Sequence, residues 1–450
     1  MIFCFIVLCV AVLLWAFSRI AAIGAGYKAK VLCSALFVSK RSLESALQDV
    51  SCDSYRFLKL LRVDVDEPHG RVTASFLGFC AKTAVHRSGL GATLVIGDPP
   101  AGLKPHILPP LKLAGDRPWP EGEPQETVRA VPERVARILD GVFPEPNCRR
   151  LRRTRAVVVV QDGRLVAERY APGFGPHMPL PGWSMTKSVL HALVGILVGE
   201  GRLSLQARGL LPEWSDARRD ISLDDLLRMR SGLKFSEVYG NPLSDVTRML
   251  FDNADAGAFA ADKKLVAVPG VRWAYSSGTS NIIARIVRRA TGLGAEQFLE
   301  WPRRALFEPL GMASAVMEPD ASGNLVPSSF MLATARDWAR FGLLYAQDGV
   351  WAGRRILPEG WVTSGRTHAP QSHARYYGAH WWLKLSKEFG GHTPAAAHLP
   401  TDAFFALGHE GQVVAVIPSR RLVVVRLGLS IYEDAWNEAA FLAELLDVLA

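Results

Sequence analysis

The hydrophobic pattern divides the chain into segments of different character. From Met1 to Phe17 no residue carries a charge, and apolar character continues to about Ala25, broken by Ser18 and Arg19. A helix needs about 20 apolar residues to cross a bilayer, so residues 1–25 are expected to be a membrane segment or an export signal. Gly24, Ala25 and Gly26 are small enough for a signal-peptidase site, but the usual cationic stretch ahead of the apolar run is missing. Arg19, Lys28 and Lys30 all follow the run, a bias that would hold the body of the protein on the cytoplasmic side. The two signals oppose one another.

Residues 26–125 are expected to form a separate N-terminal region. Alternation in Arg71-Val72-Thr73-Ala74-Ser75-Phe76-Leu77 predicts strand, and the Pro/Gly-rich stretch from Pro99 to Pro124 predicts a linker. A helix is expected over Glu126–Leu139. Beyond it the pattern sharpens. Val157–Val160 and Leu165–Glu168 flank an Asp162-Gly163 turn and predict a β-hairpin. Ser184–Glu200 predicts a long helix, apolar on almost every side and ended by Gly201. Phe404–Leu407, Val413–Ile417 and Leu422–Leu427 predict three antiparallel strands, and Asp434–Leu449 a closing helix. Strands at both ends of residues 126–450 with helices between them predict an α+β domain. Its antiparallel sheet would be built from both termini and flanked by helices.

Composition narrows the function classes. With 450 residues, 49% hydrophobic and 21% charged, the chain is ordinary globular material, which excludes a mostly disordered or fibrous protein. The net charge of +9 would suit anionic lipid or nucleic acid. No basic helix or RNA-binding motif supports nucleic acid, which is therefore not an expected partner. The Arg-rich stretch Arg149–Arg155 reads as a solvated face. Cys4, Cys9, Cys33, Cys52, Cys80 and Cys148 show no zinc-like or C-x-x-C spacing, and the last four could be either disulfide partners or small buried residues. The histidines likewise show no paired ligand pattern, so neither metal nor other cofactor is expected.

Ser184-Met185-Thr186-Lys187 carries the candidate chemistry. Ser and Lys three apart at the first turn of a helix share one face, so the amine can reach the hydroxyl. The helix N-terminus adds partial positive charge and free N–H groups. The apolar helix behind Lys187 must be buried, and burying Ser and Lys is costly unless they have partners or a task. Ser231-Gly232-Leu233-Lys234 repeats the spacing at a Gly-broken turn with no such helix and reads as structural. A serine nucleophile needs a base. Lysine has an ordinary pKa of about 10.4 and tyrosine of about 10, so one of them must be lowered a long way to act at neutral pH. Tyr275-Ser276-Ser277, on a Gly/Pro-bounded turn before an amphipathic helix, supplies a candidate tyrosine, and Tyr239-Gly240-Asn241 competes.

Ser184-x-x-Lys187, Tyr275-x-Ser277 and His409-Glu410-Gly411 occur in the order and approximate spacing of three motifs of the penicillin-recognising serine hydrolases. Over residues 130–450 the chain resembles their class C β-lactamase branch, which includes carboxypeptidases, esterases and 6-aminohexanoate-dimer hydrolase. The resemblance extends to Leu226–Leu233, Ala333–Trp338 and Tyr376–Trp382. It implies a three-layer fold with the Ser184 helix between an α/β region and a helical subdomain. It also implies that Ser184 is acylated, Lys187 is its proton partner and Tyr275 is a base or proton shuttle. Ser277, His409, Gly411 and Tyr239 would contact substrate, and the backbone N–H groups of Ser184 and Gln412 would form the oxyanion hole, each such donor being worth about 3–4 kcal/mol in the transition state. His409 departs from the lysine usual in the third motif, which argues against anionic β-lactams and for neutral esters or amides. The function so implied is a membrane-anchored or exported serine hydrolase of the bacterial envelope, expected in the periplasm. Acyl transfer, a non-catalytic tethered binding protein and β-lactamase proper stand as alternatives.

Overall fold

The computed structural model describes residues 2–50, 53–97, 118–122, 131–148, 150–369, 375–432 and 434–449. The apolar N-terminal run opens a single helix, α1 (Ile2–Cys33), about 48 Å long at 1.5 Å per residue. Side chains up to Trp15 are exposed, whereas Ala21, Ile23–Gly26 and Ala29–Lys30 are buried. Small residues allow this close approach. A Cβ on Gly26 would lie 2.4 Å from the Phe251 carbonyl oxygen, and one on Gly24 would lie 2.6 Å from the Phe57 ring. The helix is long and apolar enough to cross a membrane.

The boundary expected at residue 25 therefore falls inside a continuous helix, and scission at Gly24–Gly26 would cut through buried backbone. The cationic flank is also not free. Lys28 donates to the Leu58 and Leu61 carbonyls at 2.8 Å each, Lys30 pairs with Glu318, and Arg19 pairs with Asp252.

Four strands follow, β1 (Leu61–Asp66), β2 (Arg71–Phe76), β3 (Phe79–Arg87) and β4 (Gly91–Leu94). They form an antiparallel meander in sequence order that packs on α1. Buried Val72, Ala74, Ala84 and Ala92 join Ile23 and Leu32 in one hydrophobic core, which continues into Val158, Leu193 and Phe341. The described residues between 26 and 122 thus pack into the main core and are not held apart from it. Most of the expected linker Pro99–Pro124 lies outside the described residues. Within it Trp119 is buried, and Arg340 donates to the carbonyls of Pro120 and Gly122 at 2.8 Å each. The next helix, α2, spans Glu133–Gly141, later than the expected Glu126–Leu139, whose first five residues also lie outside the described residues.

The larger sheet contains β5 (Thr154–Gln161), β6 (Arg164–Tyr170), β7 (Phe404–Gly408), β8 (Gln412–Ile417) and β9 (Leu422–Gly428). Its order is β7-β8-β9-β5-β6, antiparallel throughout, so both ends of the domain meet at the β9–β5 pairing. Asp162 (φ 53°) and Gly163 (φ 73°) close the first hairpin with two left-handed residues, the geometry that suits the strand twist. The unbroken valine run is covered on both faces. Val157 and Val159 meet α6 (Glu438–Val448), while Val158 and Val160 face α5 (Ala335–Ala346) and the core around α3 (Thr186–Gly199). A further helix, α4 (Ser277–Thr291), packs against α3 in the helical region. Helix, sheet and helix form the three layers. The five described cysteines, Cys4, Cys9, Cys33, Cys80 and Cys148, are free thiols.

Glu318 ties the N-terminal helix to the larger core. Its carboxylate pairs with Lys30 and accepts from Ser34 Oγ at 2.8 Å and from the Ala92 amide at 2.7 Å, with both charged side chains almost wholly buried. Removing one member of a buried pair leaves the other uncompensated. Glu318→Ala should therefore destabilise the fold by about 3–5 kcal/mol in denaturant unfolding, and Lys30→Met combined with it should recover part of that loss.

Candidate active site

Ser184 lies in a tight turn, Trp183–Met185, that leads directly into α3. The turn is held from both sides. The Gly182 amide donates to the Met331 carbonyl at 2.9 Å, and a Cβ on Gly182 would lie 2.2 Å from Trp338. Trp183 adopts φ 48°, a left-handed conformation that costs a bulky residue free energy and persists where surrounding packing enforces it. Half-buried Ser184 follows, with Lys187 one turn later.

Lys187 is 1% exposed and its three donors have three partners. Its Nζ donates to Ser184 Oγ at 2.9 Å, to Ser277 Oγ at 3.1 Å and to the Ser328 carbonyl at 2.8 Å. Burial lowers its pKa to about 8, with the Glu237 carboxylate pulling the other way. The repeat pair Ser231 and Lys234 is different, because Lys234 is exposed while Ser231 is buried and accepts from the Leu233 amide.

Tyr275 makes a side-chain hydrogen bond with Ser184, and its ring centroid is 4.9 Å from Lys187 Nζ. Tyr377 and Trp382 enclose it, with centroids at 5.9 and 5.5 Å. Burial pushes the phenol well above its ordinary pKa, Tyr377 and Glu237 add to this, and the Ser184 bond opposes it. Of the two candidate bases it is therefore Lys187, not Tyr275, whose pKa is brought toward neutrality.

Glu237 was not singled out from the sequence. It accepts from the Ser277 amide at 2.8 Å and from Ser277 Oγ at 2.5 Å, at the N-terminus of α4 where a carboxylate is favoured. Burial raises its pKa, while Lys187 and the two Ser277 bonds lower it. A buried lysine calls for a counter-charge, but nothing in the sequence distinguishes this carboxylate among 43 acidic residues. Ser277 itself is fully buried and links Glu237 to Lys187, so it holds the ammonium and does not face substrate as expected. His380 was expected to lie in solvent or core. It is buried behind Lys187, its Nδ1 2.9 Å from the Lys187 carbonyl oxygen, and burial followed by the Lys187 charge lowers its pKa to about 3. It therefore stays neutral.

His409, Glu410 and Gly411 form the turn between β7 and β8, with Glu410 (φ 63°) and Gly411 (φ 86°) left-handed. The His409 ring stands edge-on to Trp183 at 5.8 Å and stacks on Tyr239 at 4.9 Å. These three rings line a cavity of about 460 Å³ beside the Ser184 turn. Gly411 faces the other way, its carbonyl accepting from Arg426 at 2.7 Å. Gln412 sits on the inner strand β8 opposite Gly408, 1% exposed, and its amide group bonds both the N–H and the carbonyl of Gly428. Edge strand β7 lies between Gln412 and the sheet's free edge, so the expected pairing of Gln412 with Ser184 in one anion hole does not fit this register. His191 is buried against Tyr345 and Trp361, His392 and His398 are exposed, and His373 lies outside the described residues.

Residues 134–433 match the protein family described as Beta-lactamase. The 6-aminohexanoate-dimer hydrolase of Paenarthrobacter ureafaciens is 28% identical over 272 residues, covering 57% of this chain and 67% of that protein. A penicillin-binding protein homologue from Caulobacter crescentus superposes with a TM-score of 0.55 at 17% identity, over 71% of this chain and 97% of that one. A family VIII carboxylesterase gives 0.53 at 16% identity, over 72% of this chain and 98% of that one. At these identities the two structural likenesses show the shared fold.

The Glu237 charge supports the Lys187 ammonium, so replacing it should make the lysine easier to deprotonate. In Glu237→Gln the Lys187 titration midpoint should fall by on the order of one pH unit, read by NMR of protein labelled with 13Cε-lysine.

Proposed function

The chain belongs to the Beta-lactamase family, and on that premise we propose that it is a hydrolase of esters or amides acting through a Ser184 acyl-enzyme. The observation that carries this reading is the buried Lys187 amine, 2.9 Å from Ser184 Oγ with its pKa lowered to about 8. In its neutral form Lys187 takes the serine proton as Oγ attacks the carbonyl carbon. Tyr275 remains a phenol. Bonded to Ser184 beside the amine, it passes a proton from Lys187 to the departing alcohol or amine. Water then attacks the acyl-enzyme by the reverse proton route, releasing the acid and restoring the serine.

The Ser184 amide, at the N-terminal turn of α3, supplies one oxyanion donor. We assign the second to the His409 amide at the end of edge strand β7, in place of Gln412, because His409 is the turn residue that packs on Trp183. His409 and Tyr239 border the substrate cavity with their stacked rings. Two similar proteins support hydrolysis of an ester or amide: one is named a 6-aminohexanoate-dimer hydrolase and the other a family VIII carboxylesterase. In the same reading α1 stays uncleaved, its exposed apolar half in a bilayer and its buried half in the enzyme.

Full-length protein in detergent should be labelled by a fluorophosphonate at Ser184 alone, as read by peptide mass spectrometry, and Ser184→Ala should abolish labelling and turnover. Lys187→Met should slow labelling by about a thousandfold or more, in line with loss of an activating base. Because the neutral amine is the active form, the wild-type rate should rise about tenfold per pH unit on the acid side and level off above an apparent pKa near 8. A flat profile from pH 5 to 8 would remove Lys187 from this role.

A further inference from the structure

We propose that the substrate is a bilayer-resident amphiphile, a long-chain ester or amide whose acyl chain reaches Ser184 along α1. This rests on the serine hydrolase reading and adds the class of molecule and its route. The cavity beside Ser184 has two walls of different origin. Trp183, Tyr239 and His409 come from the hydrolase core, whereas Ile23, Tyr27 and Phe57 come from α1 and the segment packed on it. The helix whose first half is apolar and exposed thus lines, with its second half, the cavity that adjoins the Ser184 turn at Trp183.

The distances along α1 are short. Its unpaired apolar surface ends near Phe17, and Arg19 follows, paired with Asp252, which also binds Lys82. That charged cluster marks the level at which polar groups begin. From Arg19 to Ile23 the helix rises about 6 Å, and to Tyr27 about 12 Å. The headgroup layer on each side of a bilayer is about 5–8 Å thick, so the cavity wall begins within a headgroup's depth of the hydrocarbon.

A second element reaches the same level. The turn between β2 and β3 presents Leu77 at 67% and Phe79 at 74% exposure, and neighbouring Phe76 packs edge-on against Phe17 of α1 at 5.1 Å. Leu60, beside the Phe57–Leu58 cavity wall, is 62% exposed. Leu77 and Phe79 lie beside the part of α1 that leaves the core, where a bilayer would cover them. The apolar side chains that α1 and Phe57 add to the cavity suit an acyl chain better than a polar substrate. Past the Arg19–Asp252–Lys82 cluster, an acyl chain leaving the bilayer would meet the wall formed by Ile23, Tyr27 and Phe57. Its carbonyl carbon would bond to Ser184 Oγ as the bond to the headgroup alcohol or amine breaks. That leaving group carries away a proton, and water then frees the fatty acid.

The test uses the full chain reconstituted in phosphatidylcholine vesicles. 4-Methylumbelliferyl palmitate dissolved in the bilayer is compared with the butyrate ester supplied from water. Wild type should favour palmitate in kcat/KM by at least tenfold. Ile23→Trp, which fills the α1 wall, should lower the palmitate-to-butyrate ratio by tenfold or more. Should that variant not fold, Tyr27→Leu should still shift the ratio, and Phe79→Asp should depress palmitate hydrolysis in vesicles more than in detergent micelles. Fluorophosphonate labelling of Ser184 together with equal or better use of butyrate, or a ratio unmoved in a folded wall variant, overturns this proposal alone. No labelling and no hydrolysis of either ester removes the hydrolase reading and this proposal with it.

Discussion

A lysine ammonium in an almost dry interior is the constraint around which the rest is arranged. Lys187 can be buried only because Ser184, Ser277 and the Ser328 carbonyl accept its three protons and Glu237 supplies a nearby negative charge. Each partner comes from a different part of the chain, so the site exists only when the three layers are closed. The apolar body of α3 serves the same end, since it excludes the water that would otherwise restore an ordinary lysine pKa. Neutral His380 behind the Lys187 carbonyl adds no competing charge.

The neighbouring turn obeys the same logic at the level of backbone. Trp183 holds a left-handed conformation between the close Gly182–Trp338 contact and the start of α3. That geometry sets the serine at the end of the turn with its hydroxyl toward Lys187 and Tyr275. The Trp183 ring then meets His409 from the edge strand, so one residue positions the hydroxyl and borders the cavity.

The N-terminal helix and meander extend this architecture. Lys30 and Glu318 form a buried ion pair that joins α1 to the hydrolase layers. Gly26 lets α1 approach the Phe251 backbone and Gly24, on another face, the Phe57 ring, while the first half of the helix is exposed. A helix that is core along one half and bare along the other places a surface element and a cavity wall on one rigid rod.

Local physics made much of this legible in the sequence. Strand alternation, the Asp162-Gly163 turn, the all-apolar helix after Lys187 and the three terminal strands depend on neighbours a few residues apart, and they lie close to where they were expected. The spacing of Ser184 to Lys187 is likewise a property of one helical turn. What the sequence did not determine are contacts between segments far apart in the chain. Glu237 is 50 residues from Lys187 and resembles any other loop carboxylate until folding buries it. Ser277 turns inward to bridge charges, and Gln412 falls one strand inside the edge because the register of the β7–β8 hairpin puts it there. The pKa order of Lys187 and Tyr275 likewise follows from burial, which disfavours the charged form of each and so lowers the lysine and raises the phenol. Even the end of the apolar N-terminal run was not a boundary, because hydropathy records how well a segment avoids water and not whether lipid or protein replaces it. Desolvation, strand register and long-range charge pairing belong to the packed whole, so only the tertiary structure decided them.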